Sequence, residues 1–494
     1  MTGPFGILSP AWAGTSTARL MSEESILRAM LRVEAAWAQA LADADQAPAE
    51  SAAAIKAISE DPAGTGVEVE AIAAQGPGGG NPVIPMLAAV RHALAQSGES
   101  DAALHRGATS QDILDTALML LCRDAAAEVL DEARRAGAAL SSLSQEHRET
   151  ICVARSLTQH ALPTSFGLRC AGWLDGLTQA MKRLELAAAA LPLQWGGAVG
   201  TQASLSDSLG AQRTGALTAD LADRLDLRPM TRPWHTQRQV ILDLGSGLAG
   251  LLAALGKAAG DVLTLQRPEI AELREPAAPG RGGSSAMPQK QNPVLSTLIR
   301  SAALSAPGQL STLYLAAATA EDERPAGAWH AEWPSLVELS RLAGGAATRA
   351  AELFEGLVVR PDAMRANLRL SGDAVLSERL MARLRGSFPG GGKALQDLVR
   401  CSVVEAVPLR GLIEDQLGDR ITAAELDELL DPLQYLGRAQ EFIDAAVEEF
   451  AQHNATQHNA TQHSATQHSA AQPDIHPQHP DQTLVQPEGS TDHV

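Results

Sequence analysis

Positive charge is scarce in this chain: 39 lysines and arginines face 58 aspartates and glutamates across 494 residues, a formal net charge of −19. That balance excludes nucleic acid as a partner, since phosphate binding needs clustered cations rather than net acid. Cysteine is equally sparse. Cys122, Cys152, Cys170 and Cys401 have no C-x-x-C spacing, which leaves neither a zinc site nor a disulfide framework and fits a reducing cytoplasm. Aromatic residues make up only 3%, and with alanine and leucine abundant the composition favours helix over sheet. No charged-then-apolar leader opens the chain and no apolar run of about 20 residues occurs in it, so neither export nor a membrane span is expected.

What the chain does have is helical periodicity. From Ser22 to Gln46, Ile26, Met30, Val33, Trp37 and Leu41 recur at spacings of three and four and form one core-facing stripe. Gln75 to Pro85 is rich in glycine and proline and predicts a shaped loop before a helix at Met86. Thr109 and Asp112 have capping-box spacing ahead of a helix that turns Leu114, Leu118, Leu121 and Val129 inward. Segments 136–190, 236–267 and 293–320 read as rods of many turns, hence a helical bundle.

The fold class is therefore all-α, a long-helix bundle flanked by two smaller helical domains. The expected boundaries are 1–105 for the N-terminal domain, 106–355 for the bundle and 356–450 for the C-terminal helices. The last of these regions is interrupted by the run Ser387 to Gly392. From 451 to 494 the composition shifts to His, Gln, Ala and Thr, and a disordered tail is expected. Seven of the 13 histidines lie there (His453, His458, His463, His468, His476, His479 and His493). A spacing of five rotates successive imidazoles by about 140° on a helix, so they do not converge on a metal. No metal and no organic cofactor is implied, since the body of the chain holds neither a ligand cluster nor a nucleotide fingerprint.

The densest chemistry lies between Gly280 and Pro293, where glycines, Ser284, Ser285, Lys290 and a helix start share one loop. Asn292 is expected to cap the following helix, with Pro293 at its first position. The free N–H groups of that helix, together with Lys290, would then hold carboxylates of a small substrate. His105 to Asp112 repeats the arrangement, a polar loop on a helix start.

Gly283-Ser284-Ser285-Ala286-Met287-Pro288-Gln289-Lys290-Gln291-Asn292-Pro293 resembles the hallmark G-S-S-x-M-P-x-K-x-N-P of the fumarase/aspartase superfamily. His105 to Asp112 is similar to its H-x-G-x-T-S-x-D region, and Gln159 to Thr164 to the region between. Gly80 to Pro85, Gly107 to Asp112, Pro233 to Arg238, Glu275 to Gly283 and Trp329 to Trp333 look like its 3-carboxy-cis,cis-muconate cycloisomerase branch. The resemblance implies a homotetramer whose active sites each draw loops from three subunits. It also implies a small polycarboxylate substrate and a place in protocatechuate degradation. By position Ser284 matches the catalytic serine, with Lys290 and Asn292 as anion-binding partners and Thr109 and Ser110 as carboxylate donors. His160 is a second catalytic candidate and His105 binds or orients. Arg106, Gln111, Gln159, Ser285 and Arg238 complete the expected substrate-binding set.

One departure carries chemistry. Many lyases of the superfamily place a histidine and a glutamate where this chain has Leu157 and Thr297. That couple protonates a departing amine or hydroxide. A carboxylate leaves as a stable anion, its acid having a pKa of only about 4, so a cycloisomerase tolerates the loss. The alternatives are an adenylosuccinate lyase-like enzyme, which needs an acid and an N-terminal Arg-Tyr element not found here, and a non-catalytic structural homologue.

Overall fold

The computed structural model describes residues 6–284 and 286–470, with side chains through 456. Helix α1 (Glu23–Asp43) is capped by Ser22, whose Oγ accepts the Ser25 N–H at 3.2 Å, and it buries Met30, Val33, Trp37 and Leu41 as the stripe predicts. The segment expected to be a loop is instead largely helical, in α2 (Val69–Gly79) and α3 (Val83–Ser97). The chain turns only at Gly80 (φ 71°). Pro82 sits at the α3 cap and Pro85 in its first turn, where a missing N–H breaks no helical bond.

Five rods follow: α4 (Ser110–Glu146), α5 (Phe166–Ala189), α6 (Gln239–Leu265), α7 (Val294–Ala318) and α8 (Ala328–Glu355). Asp115, early in α4, bonds Arg238 at the α6 cap and Trp329 at the start of α8, while Arg135, late in α4, meets Glu355 at the end of α8. These pairs set α4 and α8 parallel, start α6 at the same end and give the bundle two distinct ends.

The single rod expected over 136–190 is broken by an antiparallel hairpin of β1 (Ile151–Ser156) and β2 (Gln159–Ser165). Its two-residue turn holds Leu157 at φ 49° and Thr158 at φ 72°, a conformation usually announced by Asn-Gly. A second pair, β3 (Leu273–Arg274) and β4 (Val358–Val359), joins the approach to the serine loop with the segment after α8.

One apolar core runs from Trp37 and Met86 through Leu118, Leu174, Leu251 and Leu339. Leu380, Leu395, Ile413 and Leu426 make a separate cluster among the C-terminal helices. A third, of Ile151, Val153, Leu368, Val375 and Leu376, seats the hairpin on those helices. Although no long apolar run was expected, α6 is long and apolar enough to cross a membrane by composition alone. It nonetheless buries Leu244, Leu248, Leu251, Leu252, Leu255 and Val262 against the other rods, as a core helix does. The compositional break at 451 falls inside the helix Ala439–Ala470, so the backbone expected to be disordered is helical to Ala470. The remaining tail lies outside the described residues.

Candidate active site

The first polar loop sits where α4 begins. Thr109 and Asp112 close the expected capping box, the Thr109 N–H donating to Asp112 Oδ2 at 3.0 Å. The fully buried Asp112 carboxylate also accepts the N–H groups of Gly196 (2.7 Å) and Gly197 (2.8 Å), and it meets Gln194 Nε2 (3.1 Å) and His235 Nε2 (2.9 Å). It thereby ties the 194–197 turn against the loop. A side chain at Gly197 (φ 69°) would press to 3.2 Å from the Gly107 carbonyl oxygen.

Thr109 Oγ1 is held by Arg324 Nη2 at 2.7 Å, and the same nitrogen donates to the Ala198 carbonyl at 3.1 Å. Ser110 is half-buried beside it. His105, at φ 55°, donates its N–H to the buried Glu34 carboxylate (2.9 Å) and brings Nδ1 within 2.7 Å of it. In the neutral ring that contact puts the proton on Nδ1 and leaves Nε2 as an acceptor.

Three expected substrate contacts are committed elsewhere. Arg106 donates to the Gln46 carbonyl. Gln111 is fully buried, its Nε2 donating to the His235 carbonyl at 2.8 Å. Arg238, also buried, is bidentate to Asp115 (2.7 and 3.1 Å), donates to Glu332 and stacks 4.6 Å from the centre of the Trp234 ring. These carboxylates hold the Arg238 guanidinium more firmly protonated despite its burial. Gln111 and Arg238 therefore spend these groups on partners within the core.

The second loop is the hairpin, at the opposite end of the bundle. Gln159 stands exposed next to the turn, its Nε2 3.3 Å from Thr158 Oγ1. His160 bonds Ser371 Oγ through Nδ1 at 2.9 Å and lines a cavity of about 670 Å³ with Arg369, Ser371, Asp373 and Ser402. Burial, helped by the nearby Arg155 charge, pushes its imidazolium pKa below the ordinary 6.5 against the pull of Glu272. The fold thus favours the neutral ring of His160 over the imidazolium.

The third loop enters from β3. Ser284 is half-buried and its Oγ accepts the Met287 N–H at 3.1 Å and the Ala286 N–H at 3.4 Å. Lys290 is exposed. Ser285 lies outside the described residues. The Asn292 N–H donates to the Gly282 carbonyl (2.8 Å) and closes the loop, but the Asn292 side chain does not cap α7. Pro293 occupies the cap position instead of the first helical one.

The cap comes from Glu275. Its buried carboxylate accepts the Leu295 N–H at 3.0 Å and the Ser296 N–H at 2.7 Å. The Val294 and Thr297 N–H groups go to the carbonyls of Asn292 and Pro293, both at 3.0 Å. All four first-turn donors are taken, so the helix start expected to hold a substrate carboxylate is already occupied.

Neither position of the absent acid couple carries a titratable group. Leu157 stands at the hairpin turn, 93% exposed, and Thr297 Oγ1 donates to the Pro293 carbonyl at 2.6 Å. Among the described residues no cluster of His, Cys, Asp and Glu has metal-binding geometry. Arg324, Glu275 and the Asp112–His235 pair were not predicted. Arg324 sits in a charged segment without helical period, and the other contacts join residues far apart in sequence.

Thr109 and His160 flank α4, whose 37 residues span about 55 Å at 1.5 Å per residue. The serine loop lies at the hairpin end, since Arg155 of β1 pairs with Glu272 just before it (2.6 Å) and Arg281 pairs with Glu352 late in α8. Within one chain the Thr109 loop and the serine loop are therefore a bundle length apart.

Rods of this length, with polar loops at both ends and a Ser-Lys loop between β3 and α7, define a lyase of the all-α fumarase/aspartase fold. The chain belongs to that family: the family described as Lyase matches residues 3–308. It is 45% identical over 451 residues to the nitrosuccinate lyase of Streptomyces davaonensis, a match covering 90% of this chain and 94% of that one. It is 39% identical over 448 residues to the 3-carboxy-cis,cis-muconate cycloisomerase of Pseudomonas aeruginosa, covering 88% and 94%. The crystal structure of the 3-carboxy-cis,cis-muconate lactonizing enzyme from Pseudomonas putida superposes with a TM-score of 0.83 at 33% identity, covering 91% of this chain and all of that one.

Proposed function

We propose that the protein is a cycloisomerase that interconverts 3-carboxy-cis,cis-muconate and 4-carboxymuconolactone. The observation that carries this reading is the pairing of an intact Ser284–Lys290 loop with Leu157 and Thr297 where a proton-donating couple would stand. A site so built favours reactions whose leaving group departs as a stable anion. Lactone opening expels such a group, a carboxylate.

In the cyclising direction a substrate carboxylate oxygen bonds to the conjugated alkene. The displaced electron pair spreads into a neighbouring carboxylate, and a proton is then delivered to carbon. Ser284 is the proposed donor, with Lys290, Asn292, Thr109, Ser110 and Arg324 stabilising charge where it develops. In the lactone-opening direction the same group, Ser284 in its deprotonated form, takes that proton back, and His160 is the alternative to Ser284 for this exchange. Loss of the diene ultraviolet absorbance of 3-carboxymuconate on adding the purified enzyme tests the reading.

A second reading is favoured by the 45% identity to nitrosuccinate lyase: elimination of nitrite from nitrosuccinate. Nitrite also departs as a stable anion, so the missing couple permits both. Colorimetric nitrite release separates them. Efficient ammonia or amine release, with neither of these substrates consumed, would instead return the adenylosuccinate lyase-like alternative.

We further infer a homotetramer with sites shared between three subunits. Loops a bundle length apart in one chain meet only if antiparallel partners bring opposite ends together. The outer face of α7 leaves Leu304 72%, Leu315 64% and Tyr314 49% exposed, an apolar surface for such packing. Sedimentation of the purified chain measures this directly.

A further inference from the structure

We infer that Glu275 is a positioning residue for the serine loop, acting as a staple between its two ends. The assignment of chemistry to Ser284 and Lys290 rests on the proposed function; the staple itself rests on geometry. Glu275 immediately precedes the loop, and the N–H groups it binds, those of Leu295 and Ser296, immediately follow it. One buried carboxylate thus joins the chain entering the loop to the chain leaving it, and nearly twenty residues between them are closed by a single side chain. Its own backbone is fixed in turn by Gln266, which closes the preceding segment: Gln266 Oε1 accepts the Glu275 N–H at 2.9 Å.

Among the described residues the loop holds itself by the Asn292 N–H on the Gly282 carbonyl at 2.8 Å, the Lys290 N–H on the Met287 carbonyl at 3.0 Å and the Ser284 hydroxyl accepting the Ala286 and Met287 N–H groups, and Arg281, early in the loop, ties it to Glu352. The loop from Ala286 to Gln291 is otherwise exposed. The placement of that exposed stretch therefore depends on the anchors that flank it, Arg281 on one side and the Glu275 carboxylate at the ends. An ionised carboxylate is suited to this task because bonds from backbone N–H groups to a charged acceptor are about twice as strong as neutral ones, and because it complements the positive end of α7. Glutamine at this position keeps the shape but turns one donor, its amide, towards the donors of the helix.

The test is Glu275→Gln in the full-length assembled protein, with Glu275→Asp beside it. Limited trypsin digestion reads cleavage after the exposed Lys290, and steady-state kinetics use 3-carboxymuconate and nitrosuccinate. Glu275→Gln is expected to speed cleavage after Lys290 by about tenfold and to lower kcat far more than it raises KM. Glu275→Asp, which retains the charge, restores part of both. Unchanged cleavage in Glu275→Gln overturns the staple, whether or not either substrate is turned over. Failure of the wild type on both substrates overturns only the functional reading, because the digestion needs no substrate. Should Glu275→Gln not fold, Gln266→Met must speed cleavage after Lys290 by a smaller factor, and a wild-type rate there overturns the inference.

Discussion

Asp115 and Arg238, 123 residues apart, form a buried bidentate pair with nitrogen–oxygen distances of 2.7 and 3.1 Å, and Glu332 closes the group from α8. Burial pushes the Glu332 carboxyl upward, and the adjacent Arg238 charge opposes that. Removing the guanidinium leaves two carboxylates without a counter-charge in the core. Arg238→Gln is expected to destabilise the fold by about 3–5 kcal/mol, read by denaturant titration. A variant that keeps its stability but raises KM would restore Arg238 to the substrate-binding set.

Ser284→Ala is expected to lower kcat by about 10²- to 10⁴-fold with KM little changed, as loss of a group acting on the reacting atoms requires. Sedimentation must show the same assembly as the wild type. A fully active variant would exclude the serine.

Arg324 joins the Thr109 hydroxyl to the Ala198 carbonyl. If its remaining donors receive a substrate carboxylate, Arg324→Met raises KM by roughly 10- to 100-fold, the range expected for losing a charged hydrogen bond. An unaltered KM would leave Arg324 with only its contacts to the fold.

Thr109→Val and Ser284→Ala each disable a different loop. Refolding the two variants together in equal amounts is expected to recover about one quarter of wild-type activity, because random assembly gives that fraction of sites an intact loop from each of two subunits. Recovery of none would place both loops of a site in one chain.

His160 has a depressed pKa, so its neutral form is favoured by the fold. Its contribution to stability is present above the ordinary imidazole range near 6.5 and is lost as pH falls through the lower folded value. A rate that needs the neutral ring keeps its plateau at pH 7 and declines only on the acid side of 6.5. His160→Asn should remove that acid limb from a profile of kcat/KM.

The rods were legible where apolar residues repeated at helical spacing, as in α1 and α6, and in α7 despite Pro307 in its middle. The capping box at Thr109 was legible because it is local, three residues from end to end. The hairpin was not, since Leu157 and Thr158 carry none of the residues that announce a turn with positive φ. The α2 and α3 boundary was misjudged because glycine and proline at helix ends look like loop residues when the ends are unknown. Long-range contacts set the rest: Asn292 has the chemistry of a cap, yet Glu275 arrives first with a full charge. In the same way Gln111 and Arg238 lie within matching motifs but point into the core, which residue type alone does not reveal.

The hairpin tip pays twice for its shape. It leaves a leucine exposed on the single chain, and it holds two side-chain-bearing residues in left-handed backbone, at about 1–2 kcal/mol each. Asn-Gly at 157 and 158 would relieve both burdens, so a tougher protein lies two substitutions away from the natural one. Turnover of that hardened variant then reads what the tip does beyond folding: a blunted kcat gives it a part in the reaction, and an unchanged one leaves it a turn.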